Sequence, residues 1–403
     1  MNAQKKLLVL FPYFSPAWRA GGPVQSLNNM VEALSQKLSI YVLTGAYEVG
    51  ETTELREIKL AQWNNVKGGE VRYLQKKEQR FSVIKSIINY CNPDLVYLNG
   101  MYSLRFVVFP LLMNQLFFKR STQFFLSPRG MLQEGALKIK PFKKKIFIST
   151  IKFLRLQKGI NWHATDIQES DDIKKIFGQS SKVFTVPNIP KKPLPQSMNI
   201  KKQPGELRLV YLSLITEKKN LLTAIKMLAE LSLPISFDIF GPIKDKRYWE
   251  KCLEKIKELP QEISVNYRGD ISPENVQETL SNYHVMLFPT KGENFGHAIY
   301  ESFSVGRPVI ISTETPWKNL QQRNAGFDIS LQNPEQYKEA IKSFYLMDQK
   351  DFDHWSSQAH KVAFEYYHHT AFEAMYLQMF GCDDGKLKVM PLVESVENES
   401  KNQ

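Results

Sequence analysis

The stretch that most constrains the fold runs from Val285 to Ser312, VMLFPTKGENFGHAIYESFSVGRPVIIS. Val285 to Phe288 is a short apolar run of the kind a strand buried on both faces requires. Pro289 and Gly292 mark the turn that follows. A helix is expected from about Gly296 to Val305, and Pro308 to Ser312 reads as the next strand. Strand, tight loop, helix, strand is the unit of a parallel α/β sheet.

The start of that helix suits an anion. Helix N-termini carry unpaired N–H groups and partial positive charge, and Gly296 lets a ligand come close to the backbone. Glu293 in the loop and Glu301 inside the helix flank Asn294-Phe295-Gly296-His297. A carboxylate accepts two hydrogen bonds at once, which suits neighbouring sugar hydroxyls. Two carboxylates beside a phosphate seat would hold two polyols joined by a diphosphate, a nucleotide sugar. Two solvated glutamates at a helix start fit the same residues.

The 403 residues, 43% of them hydrophobic, favour two domains with a core each. A net charge of +12 points to nucleic acid, anionic membrane or phosphorylated ligands as partners. Cys91, Cys252 and Cys382 stand far apart without a CxxC, which fits buried thiols in a reducing compartment better than disulfides or a zinc site. The apolar run after Lys5-Lys6 is too short for a signal peptide, and no run approaches the ~20 apolar residues of a spanning helix. The expectation is a soluble, cytoplasmic chain.

A first βαβ unit is legible in Leu7–Phe11, a helix over about Val24 to Lys37 and a strand over Ile40 to Thr44. Its first turn carries Gly21 and Gly22, which would let a phosphate or sugar approach the backbone, although GxGxxG is absent. Asn99 follows the strand Leu95 to Leu98, at the end where open sheets bind ligands. Arg129, in Ser127-Pro128-Arg129-Gly130-Met131, suits an anion or a surface ion pair equally. Lys138 to Lys158 holds eight basic residues and no acidic one, interleaved with Ile139, Phe142, Ile146, Phe147, Ile151 and Leu154. Pro141 suits its helix start. Such a helix reads as binding an anionic membrane surface through residues such as Lys143, Lys144 and Lys145, or as an ordinary surface helix. No recognition motif for nucleic acid accompanies the charge.

Ile189 to Gly205, rich in Pro and Lys, reads as a linker, and a second α/β set follows from Leu207. The expected division is 1–190, a linker at 191–205, 206–365, a helix over 366–381 crossing back to the first domain, and a polar tail over 382–403.

Taken together, these motifs resemble family 4 glycosyltransferases, retaining enzymes of the GT-B fold with two Rossmann-like domains facing each other across a cleft. The resemblance rests on Glu293-x7-Glu301 within ENFG…E…GRPVI, on Gly21-Gly22, on Ser127–Met131 and on Tyr211-Leu212-Ser213 through Lys219-Asn220. It implies that Glu301 holds the ribose, Glu293 faces the donor hexose, and N–H groups of Asn294 to His297 meet the sugar and diphosphate. Lys219 would neutralise the leaving group, Gly241-Pro242 and Arg268-Gly269 would line the base, and Gly21 and Gly22 would approach the donor. It implies no metal and no cofactor, a UDP-sugar donor, and a glycan or glycolipid acceptor. The implied setting is surface-polysaccharide assembly, peripheral at the inner face of a plasma membrane. Two positions depart from the family pattern. Leu214 stands where a phosphate arginine is usual, and Asn99 where many members carry histidine. A non-catalytic nucleotide-sugar binder or scaffold is the rival reading. A GT-B epimerase is a third, for which no convincing acid–base set stands out.

Overall fold

The computed structural model describes residues 4–117, 122–138, 140–195 and 200–382; Ile139 of the basic segment and the tail from 383 on lie outside them. The chain forms two units, Met1–Ile189 with Ala371–Gln403, and Pro190–Thr370.

The first unit is built on eight strands: β1 (Lys6–Leu10), β2 (Ser39–Gly45), β3 (Trp63–Val66), β4 (Gly69–Leu74), β5 (Leu95–Asn99), β6 (Gln123–Ser127), β7 (Ile160–Ala164) and β8 (Val183–Thr185). Their order is β3-β4-β2-β1-β5-β6-β7-β8. Every pairing is parallel except the β3–β4 hairpin. Leu7 to Leu10 are fully buried, because helices cover both faces of a parallel sheet. The first helix runs Gly22–Leu34 and buries Val24, Leu27, Met30, Val31 and Leu34, the spacing the sequence showed.

The second unit has six parallel strands: β9 (Leu207–Leu212), β10 (Ile235–Phe240), β11 (Ile263–Gly269), β12 (Val285–Phe288), β13 (Val309–Ser312) and β14 (Gly326–Ile329). Their order is β11-β10-β9-β12-β13-β14. The strand order reverses between β9 and β12 here, and between β1 and β5 in the first unit. At such a reversal successive connections leave on opposite faces and open a crevice beyond the strand ends. Both units are therefore Rossmann-like, each with one topological switch point.

Two findings depart from expectation. Residues 190–205 belong to the second unit, and the described part is docked rather than free. Lys202, 2% exposed, donates to the carbonyls of Gln203 (2.8 Å), Tyr345 (3.3 Å) and Met347 (2.8 Å). The Tyr345 and Met347 carbonyls lie at the C-terminal end of the helix Pro334–Leu346, where a cation is favoured. Burial still lowers the Lys202 ammonium to about 8. Second, β3, β4 and β14 were not foreseen. A π-turn, Leu104–Val108, leads into the helix Phe109–Leu116, which has Pro110 in its first turn.

After the second unit the chain rejoins the first through the helix Phe372–Met379. Phe380 packs edge-on against Phe125 (5.0 Å between ring centroids) and Tyr97 (6.0 Å), and Tyr376 against His163 (5.3 Å).

Candidate functional site

In the second unit Lys219 and Glu293 meet at the β9/β12 switch point. Beyond β9 the chain runs through Leu214 to a tight turn, Glu217–Lys219, then Asn220 in the left-handed conformation, then the helix Leu221–Ala229. Beyond β12 comes the loop 289–296 and the helix His297–Ser304. The two connections are stitched together. Asn220 Nδ2 donates to the Pro289 carbonyl at 2.7 Å, and Lys291 N donates to the Lys218 carbonyl at 2.9 Å. The Lys219 ammonium forms an ion pair with the Glu293 carboxylate, both mostly buried. Tyr211, the buried penultimate residue of β9, donates from its hydroxyl to the Lys219 carbonyl at 3.2 Å.

The loop is held from below. Thr290, fully buried, has its hydroxyl 3.4 Å from Glu293 Oε1 and accepts from Gly292 N at 3.3 Å. Glu293 N donates to the Glu314 carbonyl at 3.0 Å, and Ser312 at the end of β13 donates to the Thr290 carbonyl at 2.5 Å. Gly296 takes φ 80°, ψ 64°, and a Cβ there would sit 2.9 Å from Ile299 Cδ1. The loop can make this close, left-handed entry to the helix because the residue is glycine. Phe295 is buried with Trp317, Tyr300 and Tyr366, and Trp317 Nε1 donates to the Phe295 carbonyl at 2.6 Å. His297 lies edge-on to Phe295, Asn294 stands next to Glu293, and Glu301, 4% exposed, sits on the second helical turn. Neither Thr290 nor Trp317 was singled out in the sequence; a hydroxyl and an indole outside any motif carry no pattern.

At the ends of β10 and β11, Gly241 N donates to the Gly269 carbonyl at 2.9 Å, and Pro242 follows. Gly241 has φ 128°, and a Cβ there would run into the Ser213 carbonyl oxygen. Arg268 Nε donates to Asp238 at 2.8 Å, with Asn266 and Tyr283 donating to the same carboxylate. Burial works against the Asp238 charge, but these three donors outweigh it and hold the carboxyl below its usual range. Arg268 is thus an anchored wall of this corner, its side chain half exposed.

In the first unit the switch point lies between β1 and β5. Gly21 and Gly22 open the helix Gly22–Leu34 there, and Asn99, at the end of β5, donates from Nδ2 to the Pro23 carbonyl at 3.3 Å. Arg129 is tied inward. Its Nε donates to Asn99 Oδ1 at 2.6 Å, Nη2 to the Tyr97 hydroxyl at 2.9 Å, and Nη1 to Asn188 Oδ1. In place of a surface ion pair, Arg129 forms a polar chain across strand ends. His163 Nε2 faces the Val186 carbonyl at 2.8 Å and must donate to it. Its Nδ1 then accepts from the Tyr97 hydroxyl at 2.6 Å. Burial, then the Arg129 charge, lowers His163 to about 3. Burial opposes the Arg129 charge as well, but Tyr97, Tyr376 and Glu169 outweigh it and raise the guanidinium. Glu169, fully buried, accepts from Gly130 N at 2.6 Å and so fixes the turn that carries Arg129.

The basic helix spans Pro141–Phe153. Ile151 is buried and Phe147 and Ile148 pack on the core. Phe142 (76% exposed), Ile146 (51%) and Phe153 (86%) form an outward apolar stripe. Lys143 and Lys145 are exposed on either side of it. Lys144 is not a surface charge of this kind: it points inward, donating to the Ala136 carbonyl at 2.5 Å and lying 5.1 Å from the Tyr102 ring centroid. Its position on the buried face, beside Ile148 and Ile151, is the reason. Among the described residues no helix is long and apolar enough to cross a membrane, and no cluster of His, Cys, Asp and Glu is placed to hold a metal ion.

Two α/β units of this topology define the GT-B fold, and comparison with solved structures agrees. HepE from Anabaena, solved with UDP and glucose, superposes with a TM-score of 0.68 at 13% identity, over 94% of this chain and 100% of that one. Sucrose-phosphate synthase from Thermosynechococcus elongatus gives 0.69 at 14% identity, over 93% and 97%. WaaG, a glycosyltransferase involved in lipopolysaccharide biosynthesis, gives 0.56 at 13%, over 94% and 100%. Residues 196–362 match the family model described as "Glycosyl transferases group 1". This segment contains Lys219, Gly241, Pro242, Arg268, Gly269, Glu293 to His297 and Glu301. No curated protein matches the chain.

Proposed function

We propose that the protein is a retaining glycosyltransferase that moves a sugar from a nucleoside-diphosphate sugar to an acceptor hydroxyl. The observation that carries the reading is the Lys219–Glu293 pair at the β9/β12 switch point, beside the glycine-led start of the helix His297–Ser304. The family match over this segment supports it, as does the presence of UDP and glucose in HepE of the same fold.

In this reading the diphosphate lies against the N–H groups of residues 294–297 and the Lys219 ammonium. These stabilise the charge that develops as the sugar–phosphate bond breaks, without a metal or cofactor. Glu293 then exchanges part of its contact with Lys219 for a donor-sugar hydroxyl, Glu301 takes the ribose, and the corner at Gly241, Pro242, Arg268 and Gly269 takes the base. Gly21, Gly22 and Asn99 serve the first unit's side of the reaction. Arg129 acts there by holding Asn99. The acceptor hydroxyl attacks from the face the phosphate leaves, and the leaving phosphate oxygen takes its proton. UDP is the proposed nucleotide.

The acceptor we propose is a lipid-linked glycan in bacterial surface-polysaccharide assembly. The exposed Phe142, Ile146 and Phe153 between Lys143 and Lys145 support a peripheral seat on an anionic inner leaflet. Leu214, apolar where the resemblance leads one to expect a cation, keeps a non-catalytic nucleotide-sugar binder as the rival. Incubation with a panel of nucleotide sugars, read by mass spectrometry, separates them. Transfer or slow donor hydrolysis, abolished in Glu293→Ala and Lys219→Ala, supports the enzyme; binding without any turnover of any donor supports the rival.

A further inference from the structure

Three lysines surround the loop 289–296: Lys218, Lys219 and Lys291. Two have carboxylate partners. Lys219 pairs with Glu293, and Lys291 lies 3.3 Å from Glu217. Among the described residues Lys218 has no ion-pair partner within 4 Å. Its place is nevertheless fixed, because its carbonyl accepts from Lys291 N at 2.9 Å and faces the Thr290 hydroxyl at 3.4 Å. Lys219 is the lysine within ion-pair distance of Glu293; the Glu293 charge reaches Lys218 only from further off. The Lys218 stem runs over the loop, its Cε 3.6 Å from where a Gly292 Cβ would stand. No side chain at 292 separates its ammonium from a ligand on the loop.

The charges sharpen the point. The Lys219–Glu293 pair adds no net charge, so without Lys218 the seat meets the two negative charges of a sugar-linked diphosphate with one ammonium shared with a carboxylate and with backbone N–H groups. Leu214, on the same connection, contributes none.

We propose that Lys218 is the second cation of this seat, binding the diphosphate from the loop side while Lys219 holds it from the β9 side. The inference rests on the reading of this site as a nucleoside-diphosphate seat. The residue as a whole is exposed. Its ammonium is held below the usual lysine range, first by desolvation and then by the neighbouring Lys219 charge, and a bound diphosphate relieves that repulsion.

The test is titration calorimetry on the full chain with UDP, GDP and ADP and with the matching nucleosides. Lys218→Gln weakens binding of the preferred nucleoside diphosphate by about ten- to a hundredfold, the effect of one charge-assisted contact. It leaves nucleoside binding unchanged and makes the diphosphate affinity less salt-dependent. Lys218→Arg retains most of the affinity, and Lys226→Gln, on the exposed face of the next helix, changes nothing. If Lys218→Gln binds the diphosphate like wild type while Lys219→Gln does not, the inference is overturned and the site stands. If the wild-type chain binds none of the three diphosphates, the reading of the site is overturned and the inference with it.

Discussion

Lys219 and Glu293 meet as an ion pair although they lie on separate connections, one after β9 and one after β12. The pair exists because those two strands are neighbours at the point where the sheet reverses its order. Removing one member leaves the other mostly buried and unpaired, so each single substitution disturbs the site more than a surface pair would.

Glu293→Gln and Lys219→Ala are each expected to lower sugar turnover by about a hundredfold or more, in line with loss of one electrostatic stabiliser. Unfolding temperatures should fall as well, because the surviving partner is left mostly buried and unpaired. The reaction should also persist in excess EDTA. Initial rates with the donor found by mass spectrometry, with and without chelator, check both points; complete loss in EDTA would transfer the leaving-group role to a metal.

His163 gives a pH dependence whose sign is fixed. It is held neutral when folded, at about 3, against an ordinary value of 6.5. Between those values the unfolded chain binds more protons, so stability is full above about pH 6.5 and falls as the pH drops towards 3. From pH 6.5 to 5 the loss is about 2 kcal/mol for this one residue. His284, buried and lowered to about 4, adds to it in the second unit. Denaturant unfolding at pH 5 and 7.5 should show this loss, and His163→Asn should flatten its first-unit part. An unchanged slope would mean that His163 is charged in the folded protein.

Gly241→Ala should be poorly tolerated. The new methyl meets the Ser213 carbonyl, and the backbone conformation is one that L residues rarely adopt. A destabilisation of more than about 1 kcal/mol is expected, together with weaker nucleotide binding, because the base corner shares this backbone. Thermal melts with and without UDP measure both; a fully retained ligand-induced shift would place the base elsewhere.

The Pro141–Phe153 helix should bind anionic vesicles. Reversing Lys143 and Lys145 to Glu should weaken sedimentation with them by about thirtyfold or more, and Phe142→Ser with Phe153→Ser should do the same on neutral vesicles. Lys144→Gln should have the smaller effect of losing an internal contact. Binding that survives both double substitutions at physiological salt would assign the stripe to another partner.

Central strands were legible because burial on both faces leaves an uninterrupted apolar run, as in Leu7 to Leu10 and Val285 to Phe288. β3 and β14 are sheet edges, where WNNV and GFDI mix polar and apolar residues and carry no such run. The Glu293–Glu301 segment showed itself because one connection holds it all. The Arg129 chain did not, since Tyr97, Asn99, His163 and Asn188 become neighbours only when β5, β6, β7 and β8 pair. Lys144 was misread for a related reason. The helix has two apolar stripes, and the sequence does not say which faces inward; Phe147, Ile148 and Ile151 do, and they take Lys144 with them.

The return of the helix Phe372–Met379 to the first unit sets an order of events during synthesis. Tyr376 and Phe380 leave the ribosome only after all of Pro190–Thr370, so the nascent first unit waits with His163, Tyr97 and Phe125 uncovered while the second can already close its own core. The half of the molecule made first is the half completed last.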